Sequence, residues 1–128
     1  MRVPDFIVRQ FYVGGSLQHE GDGFRLKARN ALGDGTLVGI RRISVDGVAI
    51  EPGAITATRD GDGPVHHAAD VSPQAPVSFA RGDVVTFHIA GHRLPPGSHR
   101  FEVEIVERDA GVLTLALSDT VRDAASPP

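Results

Sequence analysis

Phe101-Glu102-Val103-Glu104-Ile105-Val106-Glu107-Arg108-Asp109-Ala110-Gly111-Val112-Leu113-Thr114-Leu115-Ala116-Leu117 decides the fold class. Phe101, Val103 and Ile105 alternate with Glu102, Glu104 and Val106. Leu113, Leu115 and Leu117 alternate with Thr114, Ala116 and Ser118. A period of two puts one side of an extended chain toward a core and the other toward water or a partner. Asp109-Ala110-Gly111 joins the two runs as a hairpin. Outward from this pair the same pattern recurs. Val85, Phe87 and Ile89 alternate with Val84, Thr86 and His88. Phe24, Leu26 and Ala28 alternate with Arg25, Lys27 and Arg29.

Turn residues separate the runs. Gly14-Gly15, Gly33-Asp34-Gly35, Arg81-Gly82-Asp83 and Pro95-Pro96-Gly97 are breakers. Asp46-Gly47, between Ile43-Ser44-Val45 and Val48-Ala49-Ile50, has the chemistry of a two-residue hairpin turn. No segment shows helical periodicity with caps. About seven to nine short strands in one domain predict an all-β chain, a two-sheet antiparallel β-sandwich of immunoglobulin-like type. A closed barrel is the second choice. The expected domain is 1–122, followed by a small, polar tail at 123–128 expected to be disordered.

Three stretches depart from simple alternation. Phe6-Ile7-Val8-Arg9-Gln10-Phe11-Tyr12-Val13 reads as a first strand that is apolar on both faces. Its outer face, either Ile7, Phe11 and Val13 or Phe6, Val8 and Tyr12, needs cover from this chain or from another. Phe6, Arg9, Phe11 and Tyr12 are therefore the candidate partner-interface residues, the aromatic ones as anchors. At Ile40-Arg41-Arg42-Ile43 the apolar spacing becomes three, which predicts a bulge or a change of face. Residues 64–76 read as a long connection without a strand pattern.

Composition excludes several function classes. The 128 residues carry a net charge of −3 and lack the basic footprint of a nucleic-acid binder. No stretch is long and apolar enough to span a membrane, and no signal peptide is evident, so the expected location is cytoplasmic. The chain has no cysteine, hence no disulfide or thiolate metal site. Aromatics make up only 5% of the residues, with no Trp, which is thin provision for a sugar-stacking platform.

The individual motifs favour structure over chemistry. His66 and His67 point opposite ways in an extended chain. His88 and His92 would lie ~13 Å apart on a strand, too far for one metal ion. Asp60-Gly61-Asp62-Gly63 lacks the acidic spacing and closing Glu of a calcium loop and reads as a tight acidic turn. Glu102 and Glu104, about 6.6 Å apart on one strand face, have a spacing of the order used by inverting glycosidases, and such pairs are also ordinary on a solvent face. Arg25, Lys27 and Arg29 form a basic stripe of the kind usual on an exposed face. There is no Gly-x-Ser-x-Gly elbow. The chain offers no complete catalytic constellation and no metal site.

An ordered set of segments carries a resemblance. They are Ile7-Val8-Arg9-Gln10, Gly23-Phe24, Arg29-Asn30-Ala31-Leu32 with Gly35-Thr36-Leu37, Val45-Asp46-Gly47, Val71-Ser72-Pro73, Leu94-Pro95-Pro96-Gly97-Ser98-His99 and Ser118-Asp119-Thr120-Val121. Their order and spacing resemble the β subunit of bacterial C-glycoside deglycosidases. The resemblance implies a non-catalytic β-sandwich subunit of a carbon–carbon lyase. Its partner would be a TIM-barrel α subunit holding a divalent metal such as Mn2+, in a higher hetero-oligomer. Together they would cleave the sugar–aglycone bond of 3-oxo C-glycosides such as flavonoid C-glucosides, with the substrate bound mainly by the partner. No cofactor would be bound by this chain. The alternative is a stand-alone β-sandwich that binds carbohydrate or protein.

Overall fold

A computed structural model describes residues 1–121 of the protein, with only the backbone described at Asp62 and Gly63. Arg122 and the expected tail, 123–128, lie outside the described residues. The chain forms two antiparallel sheets, the expected sandwich. Strands β1 (Gln18–Glu20), β2 (Gly23–Arg29), β5 (Ile55–Arg59), β6 (Asp62–His67) and β8 (Val84–Ile89) make the first sheet, in the order β1-β2-β8-β5-β6. Strands β3 (Gly35–Val45), β4 (Val48–Ala49), β9 (Gly97–Glu107) and β10 (Gly111–Val121) make the second, in the order β10-β9-β3-β4. A short strand, β7 (Val77–Phe79), pairs with the start of β3.

The alternating residues meet between the sheets. Phe24, Leu26, Val85, Phe87 and Ile89 from the first sheet are buried, as are Ile40, Ile43, Phe101 and Val103 from the second. The rings of Phe24 and Phe101, both fully buried, lie 5.7 Å apart in a tilted pair that ties the layers together. The β9–β10 hairpin keeps one register from Gly97↔Val121 to Glu107↔Gly111. The Asp46-Gly47 turn has both residues at positive φ, 50° and 84°, as a two-residue hairpin of this type requires. The spacing of three at Ile40–Ile43 is a register shift between Ile40 and Arg42. It buries Ile40 and Ile43 and leaves Arg41 and Arg42 in solvent.

Two expectations are corrected. The expected first strand is a helix, α1 (Asp5–Phe11). Its β-branched Ile7 and Val8 suggest a strand, but Val8, Phe11 and Tyr12 are spaced i, i+3, i+4 and share one helical face. Asp5 in the first turn and Arg9 in the last also suit the helix dipole. A helix of seven residues is marginal alone, so its packing on β10 and β2 must decide the outcome. The expected long connection at 64–76 is partly strand. Asp62–His67 forms β6 at the sheet edge, paired to β5 through Thr56↔His67, Ala57↔His66 and Thr58↔Val65. Pro64 hid this strand, because proline is tolerated on an edge but breaks the sequence pattern.

Residues 1–13 stitch the two sheets together. The Thr114 amide donates to the Met1 carbonyl and the Val3 amide to the Thr114 carbonyl, both at 2.9 Å, adding these residues to β10. After the helix, Tyr12 bridges to Ala28, and the Val13 amide donates to the Lys27 carbonyl at 3.0 Å. The segment thus leaves one sheet, crosses the open side of the sandwich and joins the other.

A β-carbon at Gly23 would lie 1.7 Å from the Ile89 carbonyl oxygen. Neither backbone can yield without breaking the β2–β8 ladder. Gly23→Ala should therefore cost about 3 kcal/mol or more, read as a lower urea midpoint at unchanged slope.

Candidate functional site

The candidate interface residues lie on and just after α1, with two different roles. Phe6 is 60% exposed and Arg9 is exposed, so both face solvent. Phe11 and Tyr12 are half-buried and pack against the core. The Tyr12 hydroxyl donates a short hydrogen bond to the Asp119 carboxylate, which also accepts from the Gly15 amide at 3.0 Å. Burial first, and then that carboxylate, push the Tyr12 phenol pKa above its ordinary value. Tyr12 is a structural strut, and Phe6 and Arg9 are the outward-facing pair.

Beside this pair runs a cleft between α1 and β10, lined in part by Arg2, Asp5, Arg9, Arg100 and Asp119. Arg2 approaches Glu102 at 3.9 Å. Among the described residues Arg9 and Arg100 have no ion-pair partner. The exposed Phe6 ring, three residues from Arg9 on the same helix, is suited to an apolar contact edged by acidic groups, and Arg100 adds a second cation to the cleft that Arg9 lines. Under the helix lies an apolar cavity of about 270 Å³, lined by residues of both sheets and by Val3, Val8, Phe11 and Tyr12.

A second polar cluster stands on the outer face of the first sheet. His88 Nδ1 lies 2.6 Å from Glu20 Oε1, and His88 Nε2 lies 2.9 Å from Thr58 Oγ1. The carboxylate favours the Nδ1–H tautomer, which leaves Nε2 to accept the threonine proton. The order of groups is that of a nucleophile, a base and an orienting acid. The three residues come from β5, β8 and β1 across the solvent face of a sheet, where such cross-strand pairs stabilise the sheet itself. Sequence reading missed the trio because its members are far apart in the chain and only the strand order joins them.

The other flagged motifs separate. His92 pairs with Glu51 at 3.1 Å, on a different element from the partners of His88. His66 and His67 sit on edge strand β6. Glu104 is held by Arg41 at 3.3 Å, as Glu102 is approached by Arg2, so both carboxylates face arginines on the outside of β9. Of the basic stripe, Arg25 donates to Gln18 and Lys27 pairs with Asp60, each within 2.9 Å. Among the described residues no group of three or more His, Cys, Asp or Glu is placed to hold a metal ion. No helix among them is long and apolar enough to cross a membrane.

Two of the segments quoted for the resemblance are joined by a buried clasp. His99 is 7% exposed. Its Nδ1 lies 2.6 Å from Asp46 Oδ2 and its Nε2 lies 2.7 Å from the Pro95 carbonyl. Both nitrogens face acceptors, so the imidazolium fits best. Burial opposes that charge, yet Asp46 and Pro95 outweigh it and hold the His99 pKa above its ordinary value. The Arg100 amide, 3.0 Å from Asp46 Oδ1, and then His99 hold the Asp46 pKa below its ordinary value.

A family model described as Hydroxymethylglutaryl-CoA reductase, N-terminal domain, matches residues 7–122. No curated protein matches the chain. The match overturns the resemblance to the C-glycoside deglycosidase β subunit. The expected TIM-barrel partner, its manganese and the 3-oxo C-glycoside substrate rested on that resemblance and lose their support with it.

The clasp has a definite pH signature. Its His99 contribution to stability is fully present below the unfolded value near pH 6.5 and is lost as pH rises through the raised folded value. Asp46, lowered in the folded state, stays ionised down to below its usual pH 3.8. The gap in melting temperature between the native chain and His99→Gln should therefore be wider at pH 5.5 than at pH 8.5. An equal gap at both values would show that the clasp carries no charge.

Proposed function

The chain belongs to the hydroxymethylglutaryl-CoA reductase N-terminal domain family, and from that premise we propose that it is a non-catalytic module that docks on a separate catalytic chain or domain and supports it. By its name the family is one domain of a reductase rather than the whole enzyme. The observation that carries the reading is the outer face of α1. There Phe6 stands in solvent beside Arg9, next to the cleft that Arg100 lines. An exposed aromatic anchor with an arginine beside it on the helix has the composition of an interface centre and its rim. The partner surface it fits is an apolar pocket edged with carboxylates.

The chemistry of the assembly belongs to the partner in this reading. Any metal or cofactor the reaction needs sits there, and the working unit is a hetero-oligomer. Absence of cysteine and a net charge of −3 suit a cytoplasmic protein that binds neither nucleic acid nor membrane.

The test is co-expression with the catalytic part of a hydroxymethylglutaryl-CoA reductase, with mass recorded by size exclusion and activity assayed on the fractions. The expected result is a complex whose activity needs both chains. Phe6→Asp should weaken assembly at least about tenfold, and Arg9→Glu with Arg100→Glu should slow association and flatten its salt dependence. A stable monomer that ignores the catalytic chain would make this a stand-alone binding module instead.

A further inference from the structure

The interior cavity has properties that a packing defect would not have. We infer that it is a binding site for a small apolar molecule, or for the apolar part of a larger one, of roughly ten carbon atoms. Protein interiors are packed to crystal density and tolerate few voids larger than a water molecule. Here about 270 Å³ lies open between the sheets. An apolar cavity of ~150 Å³ takes up benzene and stays dry without it, so this one holds about two rings or a chain of similar bulk.

The lining says what kind of guest fits. Leu113, Leu115 and Leu117 from β10 face Leu26, Ala28 and Phe87 from the first sheet. Small residues sit where bulk would close the space, at Ala28 and Gly35. A core built only for stability would place a large side chain at such a position.

Each polar side chain on the lining is already committed elsewhere. Asn30 Nδ2 donates to the Gly33 and Phe79 carbonyls, both at 2.6 Å, and its Oδ1 accepts from the Leu32 amide at 3.1 Å. Glu107 accepts from the amides of Thr36, Asp109 and Ala110. Asp34 accepts from the Arg81 amide, Lys27 pairs with Asp60, and Tyr12 donates to Asp119. None of these groups is left to pair with a buried headgroup, and an unpaired polar group in such a site is costly. The guest must therefore be apolar throughout its buried length. The exposed members of the lining are Leu32, Gly33 and Asp34, so the cavity opens at the β2–β3 loop. Any polar end of the guest emerges there, beside Asp34, which disfavours an anionic end.

The experiment titrates the full chain with 1-decanol and with naphthalene, with glucose and glutarate as polar controls, followed by methyl NMR and calorimetry. The expected result is saturable shifts confined to Leu26, Val85, Leu113, Leu115 and Leu117, and none with the controls. Ala28→Leu with Leu115→Phe should fill the space, keep or raise the melting temperature and weaken decanol binding at least about tenfold. Should that variant fail to fold, Leu113→Phe alone repeats the comparison, and the site of the native chain's shifts decides in any case. No saturable shift up to the solubility limit, or equally tight binding by a folded filled variant, would overturn the assignment. Phe6 does not line the cavity, so assembly of the Phe6→Asp variant tests the docking surface separately.

Discussion

The structure depends on closing the open side of the sandwich between β10 and β2. β10 is an edge strand, and its inward row, Leu113, Leu115 and Leu117, meets the first sheet across the apolar cavity rather than in close-packed core. Left open, that row would expose apolar surface and a bare strand edge, a combination that promotes association between chains. Residues 1–13 resolve both problems at once. Met1 to Val3 pair with part of the edge, α1 covers the leucine row, and Tyr12 and Val13 fasten the far end to β2. The Tyr12–Asp119 bond then ties that far end back to β10, so the closure is anchored on both sheets.

Much of this architecture was legible in the residues. Alternation at Phe24–Ala28, Val85–Ile89 and Phe101–Leu117 marks the strands because each has one buried face. Asp46-Gly47 marks its turn because both positions need positive φ. Even the irregular Ile40–Ile43 spacing reports a real shift in register. What was not legible depends on neighbours that are distant in sequence. Ile7 and Val8 favour a strand intrinsically, and only the leucine row beneath them selects the helix. Pro64 reads as a break until β5 supplies the edge it can join. Of the four candidate interface residues, reading a strand could not separate the outward Phe6 and Arg9 from the inward Phe11 and Tyr12. A period of two sorts side chains differently from a period of 3.6.

The misleading resemblance has a physical explanation in the same bonds. Val45-Asp46-Gly47 and Leu94–His99 are joined by the Asp46–His99–Pro95 clasp. Arg29–Leu32 contains Asn30, which binds the loop back to β7 through the Phe79 carbonyl. Ser118–Val121 contains Asp119, the partner of Tyr12. These segments hold turns and corners in place. Their order is dictated by the topology of a sandwich, so it identifies an architecture more securely than an activity. A family model that spans residues 7–122 draws on nearly the whole chain and outweighs them.

Helix α1 gives the two functional readings a common element. Its inner face, Val8 and Phe11, roofs the cavity, and its outer face, Phe6 and Arg9, meets solvent. A seven-residue helix has too little backbone stability of its own to hold a position against its packing. Its position therefore follows what lies beneath it. A guest that fills the space under Val8 and Phe11 would firm the support on which Phe6 is presented. By linkage, a partner that grips Phe6 would favour the filled cavity to the same degree. Interior and surface are separated here by the thickness of one short helix, and the short helix is the part of the fold least able to insulate one from the other.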